Sequence, residues 1–419
     1  MDPAIISLLF LVGCIIIGFV CKRNIGFIAI ALALILGRIY GVSDSEIISG
    51  FNTNLFVILL GVSYLFTIAQ SNGTLDNIVR HIVALAGRRI NLIPIIFVVF
   101  GALLAMAGPG TIPVLALTTI LSTALAKELN IDPLPFTVCC FMGAAGGGMS
   151  PLASTGIVAL DLAAKAGYTG IGIKYMFTVL IAFMIFAVIY YFATGLFKLR
   201  SDDIPESIRH REPMNKQQWF TLAGIALMLV LVIFFKVNVG LASFAVAAIL
   251  NLLGVCQEKK VFAEIPWSTL IMICGMSVLM ELVITLGGID KISQWLSSIM
   301  TPHTAPALMA LSSGFFGLFA STVGVVIPTL VPAVPGIIAS LGGSVSPLAL
   351  ISALSISSQV SGISPVSTGG ALALAAFVTV FKPNTDEKNR YFLRLFITSI
   401  IAVLFMSALG LTNFYCLFD

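Results

Sequence analysis

The sequence GMSPLASTG at residues 148–156 recurs as GISPVSTGG at residues 362–370. Both copies lie in hydrophobic sequence, and both place a Ser-Pro step before a Ser-Thr pair. Proline and glycine interrupt a helix, and Ser or Thr at an N-cap begins a new one. The two copies therefore predict two broken helices, one over residues 134–165 and one over residues 346–381.

The composition places these helices in a membrane. Hydrophobic residues make up 59% of the chain and charged residues 10%, and the mean hydropathy is +1.09. Such a chain could not keep a water-facing surface as a soluble globule. Apolar runs of about 18 to 25 residues recur along it, long enough to cross a hydrocarbon core about 30 Å thick. We expect an all-α, multi-pass protein of the inner (cytoplasmic) membrane, surrounded by the lipid bilayer.

The sequence contains an internal repeat that divides it into two related halves. A long polar stretch at residues 201–218 predicts a cytoplasmic linker between a first repeat, 1–200, and a second repeat, 219–419. A shift of 214 positions superimposes residues of several separate blocks. The pairs include Gly61 with Gly275, Ser63 with Ser277, Leu65 with Leu279, and Ser150-Pro151 with Ser364-Pro365.

Loop charge predicts that the two repeats are inverted. Lys and Arg near the ends of spans stay cytoplasmic, so Lys22 and Arg23 place the amino terminus outside. The loop around Asp44 and Glu46 is acidic and is predicted to be external. Five crossings per half then leave both termini outside. Inverted repeats are typical of transporters that bind their substrate near the membrane midplane.

Each half is predicted to contain scaffold spans, an interfacial helix, a re-entrant hairpin, a broken helix and a last span. In the first half these cover residues 4–71, 72–90, 92–128, 134–165 and 170–199. In the second half they cover residues 219–286, 287–300, 305–341, 346–381 and 388–412.

The hairpins follow from breaks in two apolar runs. AGPGTIP at residues 107–113 has two prolines and two glycines, which exclude a continuous helix. Its arms of about 15 residues are too short to cross alone. ASTVG at residues 320–324 occupies the same place in the second half. Irregular backbone at membrane depth is tolerated where it lines a cavity, so the tips mark a candidate site.

Half-helix ends offer amides that favour an anion and carbonyl oxygens that ligate Na⁺, and Ser and Thr add hydroxyl oxygens. An alternative is that these small residues only allow close helix packing. The candidate substrate-binding residues are Gly108, Pro109, Gly110, Thr111, Ser150, Pro151, Ser321, Thr322, Ser364 and Pro365. The candidate Na⁺ ligands are Gly108, Gly148, Ser150, Ser154, Thr155, Ser321, Gly362, Ser364, Ser367 and Thr368.

The sequence offers few charged, metal-binding or catalytic residues. Glu281 lies inside an apolar span, which makes it a functional candidate, and Asp161 and Lys165 lie one helical turn apart. The seven cysteines and three histidines show no metal-binding spacing, and no catalytic Ser/His/Asp set is visible. We therefore expect neither an enzyme nor an organic cofactor. The net charge of +4 is normal for cytoplasmic loops and does not indicate nucleic acid.

The hairpin and broken-helix motifs resemble those of the ion transporter superfamily, which includes the divalent anion/sodium symporters. The stretch AMAGPGTIPVLALTTILSTALAKELNI at residues 105–131 is most similar to the MatC-type malonate and dicarboxylate carriers. The resemblance implies a homodimer, an elevator mechanism and dicarboxylates carried with Na⁺. The superfamily's Ser-Asn-Thr tip is replaced here by Gly108–Thr111 and Ser321–Val323, neither of which contains asparagine.

The leading hypothesis is a Na⁺-coupled importer of a small dicarboxylate such as malonate. The alternatives within transporters are an oxyanion exporter and a cation/proton antiporter, which would need a titrating carboxylate such as Asp161 or Glu281. A channel lined by hydroxyl groups is a further alternative.

Overall fold

The computed structural model describes residues 2–21, 23–83, 89–199, 213–318 and 320–419. These residues form helices joined by turns, with no β-strand among them. The predicted all-α class is confirmed. Lys22 and most of the predicted linker, residues 201–212, lie outside the described residues.

The first half of the described chain contains ten α-helices. They are α1 Pro3–Cys21, α2 Ile25–Tyr40, α3 Asp44–Ser49, α4 Thr53–Ser71, α5 Thr74–Val83, α6 Ile93–Met106, α7 Thr111–Glu128, α8 Pro133–Gly147, α9 Ser154–Lys165 and α10 Gly172–Ala193.

The second half of the described chain repeats this order. Its helices are α11 Lys216–Ile233, α12 Val239–Leu252, α13 Glu258–Glu264, α14 Trp267–Thr285, α15 Gly288–Ser298, α16 Ala305–Gly317, α17 Ile327–Leu330, α18 Val334–Ser340, α19 Pro347–Val360, α20 Thr368–Phe381 and α21 Thr385–Gly410. A π-helical turn, Thr322–Val326, precedes α17, and a 3-10 turn, Ser361–Ile363, follows α19. Helix α14 begins and ends 214 positions after α4.

Two predicted boundaries change. The predicted external loop at Asp44 contains helix α3, because Ser43 and Glu46 form a capping box that satisfies its first amides. The last three residues of the predicted linker, 216–218, begin α11, where Asn215 and Gln218 form a second capping box.

The returning arm of the second hairpin is less regular than the first. Helix α7 is continuous over 18 residues, but the corresponding 322–340 segment divides into the π-helical turn, α17 and α18. Pro328, Pro332 and Pro335 lie along it, and proline removes a helical hydrogen bond and clashes with the preceding turn.

Two close helix crossings join the halves. Helix α2 crosses α14, and a Cβ placed on Gly26 would lie 2.1 Å from the Ile271 carbonyl oxygen. Helix α4 crosses α12, and a Cβ placed on Gly61 would lie 2.3 Å from the Gly240 carbonyl oxygen. Small residues allow backbones to approach this closely in membrane helices. A shift of 214 positions relates α2 to α12 and α4 to α14, so the two crossings are equivalent in the repeat.

The described residues include six helical segments that are long and apolar enough to cross a membrane. They are Asp44–Ser71, Gly172–Ala193, Trp267–Thr285, Thr322–Ser340, Pro347–Phe381 and Thr385–Gly410. Helices α6 and α16 are apolar but shorter, with 14 and 13 residues. At 1.5 Å per residue, each would span only about 20 Å.

Helix α8 lies at the centre of the first half. All of its residues are buried, and it packs against α6, α7 and α10. A Cβ on Gly143 would lie 2.2 Å from the Val98 carbonyl oxygen, and one on Gly147 would lie 2.0 Å from that of Ala102. These two glycines therefore serve close packing of α8 against α6. That arrangement fixes the end of α8 beside the hairpin tip.

Candidate functional site

The first hairpin tip turns between α6 and α7 at residues 107–110. Gly108 and Gly110 adopt φ values of 150° and 78°, which side-chain-bearing residues rarely adopt. A Cβ on Gly108 would lie 2.2 Å from the Phe66 ring, and one on Gly110 would lie 2.3 Å from Ser154 Oγ. Both glycines are therefore required by the backbone conformation and by the lack of space.

This tip is hydrogen-bonded to the break between α8 and α9. The Ser154 backbone N–H donates to the Gly108 carbonyl oxygen at 3.2 Å. The Ser154 hydroxyl donates to the Pro109 carbonyl oxygen at 3.1 Å. A Cβ on Gly148 would lie 2.2 Å from Thr111 Oγ1. The structure thus brings together residues that sequence reasoning placed in one site.

The second tip contacts its own broken helix differently. The Ser321 hydroxyl accepts a hydrogen bond from the Gly324 N–H at 3.2 Å. The Thr322 hydroxyl donates to the Ser358 carbonyl oxygen at 2.7 Å. The two tips share a place in the repeat but differ in their hydrogen bonds.

A cavity of about 40 Å³ lies between the two tips and the two breaks. It is lined by Thr111, Ile112, Leu115, Phe141, Thr155, Ser321, Thr322, Val323, Gln359, Gly362, Ser367, Thr368 and Gly369. None of these side chains carries a charge. We call this space the tip cavity.

Four helical segments begin at the tip cavity: α7, α9, α20 and the π-helical turn. Helices α7, α9 and α20 have no side-chain hydrogen bond at their N-caps, Gly110, Ala153 and Ser367. Helix N-termini carry N–H groups that the helix itself does not satisfy, and a partial positive charge. In α9 two of these groups, those of Ser154 and Gly156, already donate to backbone carbonyl oxygens. Their convergence makes the tip cavity a place that favours a negatively charged group.

The helix starts differ in detail from the expected caps. Ser154 and Thr155 were expected to act as N-caps, but the cap of α9 is Ala153, and both residues lie in the first turn. The Ser154 hydroxyl is occupied by the hairpin tip instead. Ser367 is the N-cap of α20, but its side chain makes no capping hydrogen bond.

The Ser-Pro residues lie beside the tip cavity and are not among its lining residues. The Ser150 hydroxyl accepts from the Leu152 N–H at 3.2 Å, and the Ser364 hydroxyl accepts from the Val366 N–H at 3.4 Å. Each serine therefore stabilises its own turn. A Cβ on Gly172 would lie 3.2 Å from Pro151 Cγ, so Pro151 packs at the start of α10.

Gln359 on α19 is a site residue that sequence reasoning missed. Its side chain is 6% exposed, and its Nε2 donates to Thr111 Oγ1 at 2.6 Å. An amide inside an apolar membrane helix is itself a signal of function. Its partner, however, lies 248 positions away, so the sequence alone does not connect the two residues.

Two larger cavities flank the tip cavity. One, of about 610 Å³, is bounded by α4, the first hairpin and the start of α14. The other, of about 440 Å³, is bounded by α14, the second hairpin and the start of α4. We call them the first and second vestibules. Their linings correspond under the 214-position shift. The first vestibule is lined by Ser63, Phe66, Thr67, Gln70, Glu264, Pro266 and Leu372. The second is lined by the matching residues Ser277, Met280, Glu281, Ile284, Gly50, Asn52 and Val158.

A smaller cavity lies between the tip cavity and the two vestibules. A cavity of about 60 Å³ is lined by Thr155 and Val323, which also line the tip cavity. It shares Ser63 and Pro109 with the first vestibule and Ile273 with the second. The tip cavity therefore adjoins a space that borders both vestibules.

The charged candidates lie at the second vestibule. Glu281 and Lys165 line it, and Glu281 is exposed. Asp161 accepts a hydrogen bond from Asn52 Nδ2 at 2.8 Å, and its carboxylate lies 3.5 Å from Lys165 Nζ. Because none of them lines the tip cavity, they do not supply its charge.

The chain is similar to known transporters in sequence and in fold. The CitMHS family model, described as "Citrate transporter", matches residues 10–357. The Alcanivorax borkumensis YdaH transporter structure, described as having an unusual topology, aligns with a TM-score of 0.62 and 12% identity over 99% of this chain and 98% of that one. The Neisseria gonorrhoeae MtrF structure, described as illuminating a class of antimetabolite efflux pumps, aligns with a TM-score of 0.56 and 15% identity over 98% of this chain and 95% of that one. No curated protein sequence matches. At these identities the two structures support the fold alone.

Proposed function

Because the chain belongs to the CitMHS citrate transporter family and is a secondary transporter, we propose that it imports a small di- or tricarboxylate together with Na⁺ through the tip cavity. The observation that carries this proposal is the convergence of three helical N-termini without side-chain caps, those of α7, α9 and α20, on one uncharged, hydroxyl-lined space. Such ends bind carboxylates through backbone N–H groups.

The size of the tip cavity limits what it holds. Its volume of about 40 Å³ accommodates roughly three water-sized groups, which is the size of one carboxylate. The remainder of a malonate- or citrate-sized anion would extend into the adjoining cavity of about 60 Å³. That cavity has mostly apolar walls, with the hydroxyls of Ser63, Ser154, Thr155 and Thr269 as its polar groups.

Na⁺ would supply charge that the lining residues do not. No lysine or arginine lines the tip cavity, and transferring an unpaired anion into a low-dielectric site costs many kcal/mol. A cation bound by the carbonyl oxygens and hydroxyls of the tips would offset that cost. Substrate and cation would then bind interdependently.

The repeated vestibules support alternating access. If the halves are antiparallel, the two vestibules face opposite sides of the membrane, with the tip cavity between them. Movement of the hairpins and broken helices against the scaffold helices α4 and α14 would then expose the bound substrate to each side in turn. An elevator within a homodimer, with all termini outside, is the form of this movement that we propose.

Binding to the purified protein tests the coupling. We would measure affinity for citrate, malonate and succinate by calorimetry in NaCl and in choline chloride at equal ionic strength. The proposal expects at least one carboxylate to bind about ten-fold more tightly in Na⁺, a difference of about 1.4 kcal/mol. Equal affinity in choline would refute Na⁺ coupling, and binding of oxyanions alone would favour the exporter alternative.

Transport by proteoliposomes separates a carrier from a channel. A carrier shows saturable uptake, and unlabelled substrate inside the vesicles accelerates entry of labelled substrate. Uptake that neither saturates nor responds to internal substrate would contradict the proposed mechanism.

A further inference from the structure

We propose that Gln359 contacts the transported carboxylate and determines which anions the site accepts. Its amide N–H donates to the Thr111 hydroxyl oxygen, and the hydroxyl proton of Thr111 then points to the anion. This inference rests on the proposed function, in which a carboxylate enters the tip cavity. It concerns one residue pair and its chemistry, so its test can fail while carboxylate transport stands.

The pair is buried and joins the two halves. Gln359 is 6% exposed and Thr111 is 4% exposed, and both line the tip cavity. The Gln359 Nε2 to Thr111 Oγ1 distance of 2.6 Å is that of a short hydrogen bond. Helix α19 of the second half is thereby attached to the first turn of α7 in the first half.

This bond leaves a proton available. A threonine hydroxyl has one proton to donate, and here its oxygen already accepts from the amide. Other threonines of α7 use that proton within the helix: Thr118 donates to the Val114 carbonyl oxygen at 2.8 Å, and Thr123 to that of Thr119 at 2.6 Å. Thr111 is the first residue of α7, so no preceding turn of that helix supplies a carbonyl oxygen for its proton.

The amide adds a second donor. A glutamine side chain has two N–H groups, and only one is used by Thr111. The second N–H and the Thr111 hydroxyl lie at the same cavity as the N-termini of α7 and α20. All of these groups donate, so they match the lone pairs of a carboxylate.

The repeat supplies no second copy of this pair. The position 214 residues before Gln359 is Ala145, which offers no polar group. At the second tip, Thr322 donates its proton to the Ser358 carbonyl oxygen. The donor pair therefore exists at one end of the cavity only, and it would fix the orientation of the bound anion.

Gln359→Glu tests this chemistry because it preserves the size of the side chain. An ionised glutamate would repel a carboxylate and would accept the Thr111 proton itself. A protonated glutamate keeps a donor, so acid should restore binding of the anion. We expect the KM for labelled citrate or malonate, relative to wild type at the same pH, to rise about ten-fold at pH 8 and to return to within about threefold at pH 5.5.

Three further variants complete the experiment. Gln359→Met removes the amide without adding charge, so its KM should rise at both pH values with no recovery in acid. Gln294→Glu on α15 is the matched control, because it makes the same chemical change at an exposed position. Thr111→Val should raise KM in the same way as Gln359→Met, and Thr111→Ser should restore it.

The outcomes are distinguishable. If wild-type protein transports a carboxylate and Gln359→Glu shows the same KM ratio to wild type at both pH values, the inference is wrong. If Gln359→Glu does not fold, wild-type KM in Thr111→Val refutes the inference independently. If wild-type protein binds no carboxylate at all, the proposed function itself has failed.

Discussion

Gly148→Ala is expected to separate the first hairpin tip from the break after α8. The new Cβ would lie 2.2 Å from Thr111 Oγ1 and 2.9 Å from the Thr111 backbone nitrogen. Ordinary contacts begin at about 3.4 Å, so the start of α7 would have to retreat by about 1 Å. A Thr111 hydroxyl displaced by that distance would lie up to about 3.6 Å from Gln359 Nε2, beyond the range of a hydrogen bond.

The expected magnitudes follow from that displacement. Overpacking of this kind costs about 1 to 3 kcal/mol of stability. Loss of the bond to Gln359 removes roughly another 0.5 to 1.5 kcal/mol from the arrangement of the tip cavity. We expect uptake to fall by about ten-fold or more, since about 1.4 kcal/mol corresponds to a factor of ten.

The corresponding change in the second half is milder. A Cβ on Gly362 would lie 3.1 Å from Phe141 Cζ and 3.9 Å from Ser367 Oγ. The edge of an aromatic ring can move by a few tenths of an ångström at little cost, whereas moving a backbone nitrogen at the start of a helix displaces the helix itself. Gly362→Ala should therefore lose less activity than Gly148→Ala, although the two residues occupy the same place in the repeat.

The assay is initial uptake of labelled citrate or malonate into proteoliposomes, with protein amount and thermal midpoint measured for every variant. Gly13→Ala on α1 is the control, because no atom lies within 4 Å of its Cβ position. Equal uptake by Gly148→Ala and Gly13→Ala would refute the packed contact between tip and break.

Two further variants test other parts of the molecule. Gly275→Ala should lower the thermal midpoint in detergent, because its Cβ would lie 2.4 Å from the Gly26 carbonyl oxygen, and a midpoint equal to that of Gly13→Ala would contradict the close crossing of α2 and α14. Glu281→Gln should retain uptake within about threefold, since Glu281 is exposed in the second vestibule and surface charges contribute about 0 to 1 kcal/mol. A loss of uptake greater than ten-fold would instead support the antiporter alternative.

The order of helices could be predicted because membrane sequences expose it directly. Apolar runs mark the spans, and the shift of 214 positions aligns the halves without any structure. Short helices such as α3 and α13 were missed because six or seven residues carry no clear periodicity. The predicted hairpin at residues 305–341 did not anticipate that residues 322–340 divide into a π-helical turn and two short helices.

The meeting of tip and break could also be predicted, since glycine and proline interrupt helices through local backbone geometry. The hydrogen bonds at the site could not, because they depend on which chains become neighbours after folding. Ser154 was expected to cap its own helix, but it bonds to Pro109. Gln359 drew no attention because one amide in an apolar run has no local pattern to mark its partner.

The repeats therefore share a shape and differ in chemistry, which bears on how transport could proceed. The Gln359 to Thr111 bond attaches the broken helix of one half to the hairpin of the other, and α20 also packs along α7. If the halves exchanged roles at each turnover, Ala145 would have to replace Gln359, and it has no group with which to do so. A mechanism that keeps the tip cavity intact and moves it as one body avoids that exchange. The asymmetry is therefore compatible with the proposed elevator, in which the site moves without being rebuilt on each side.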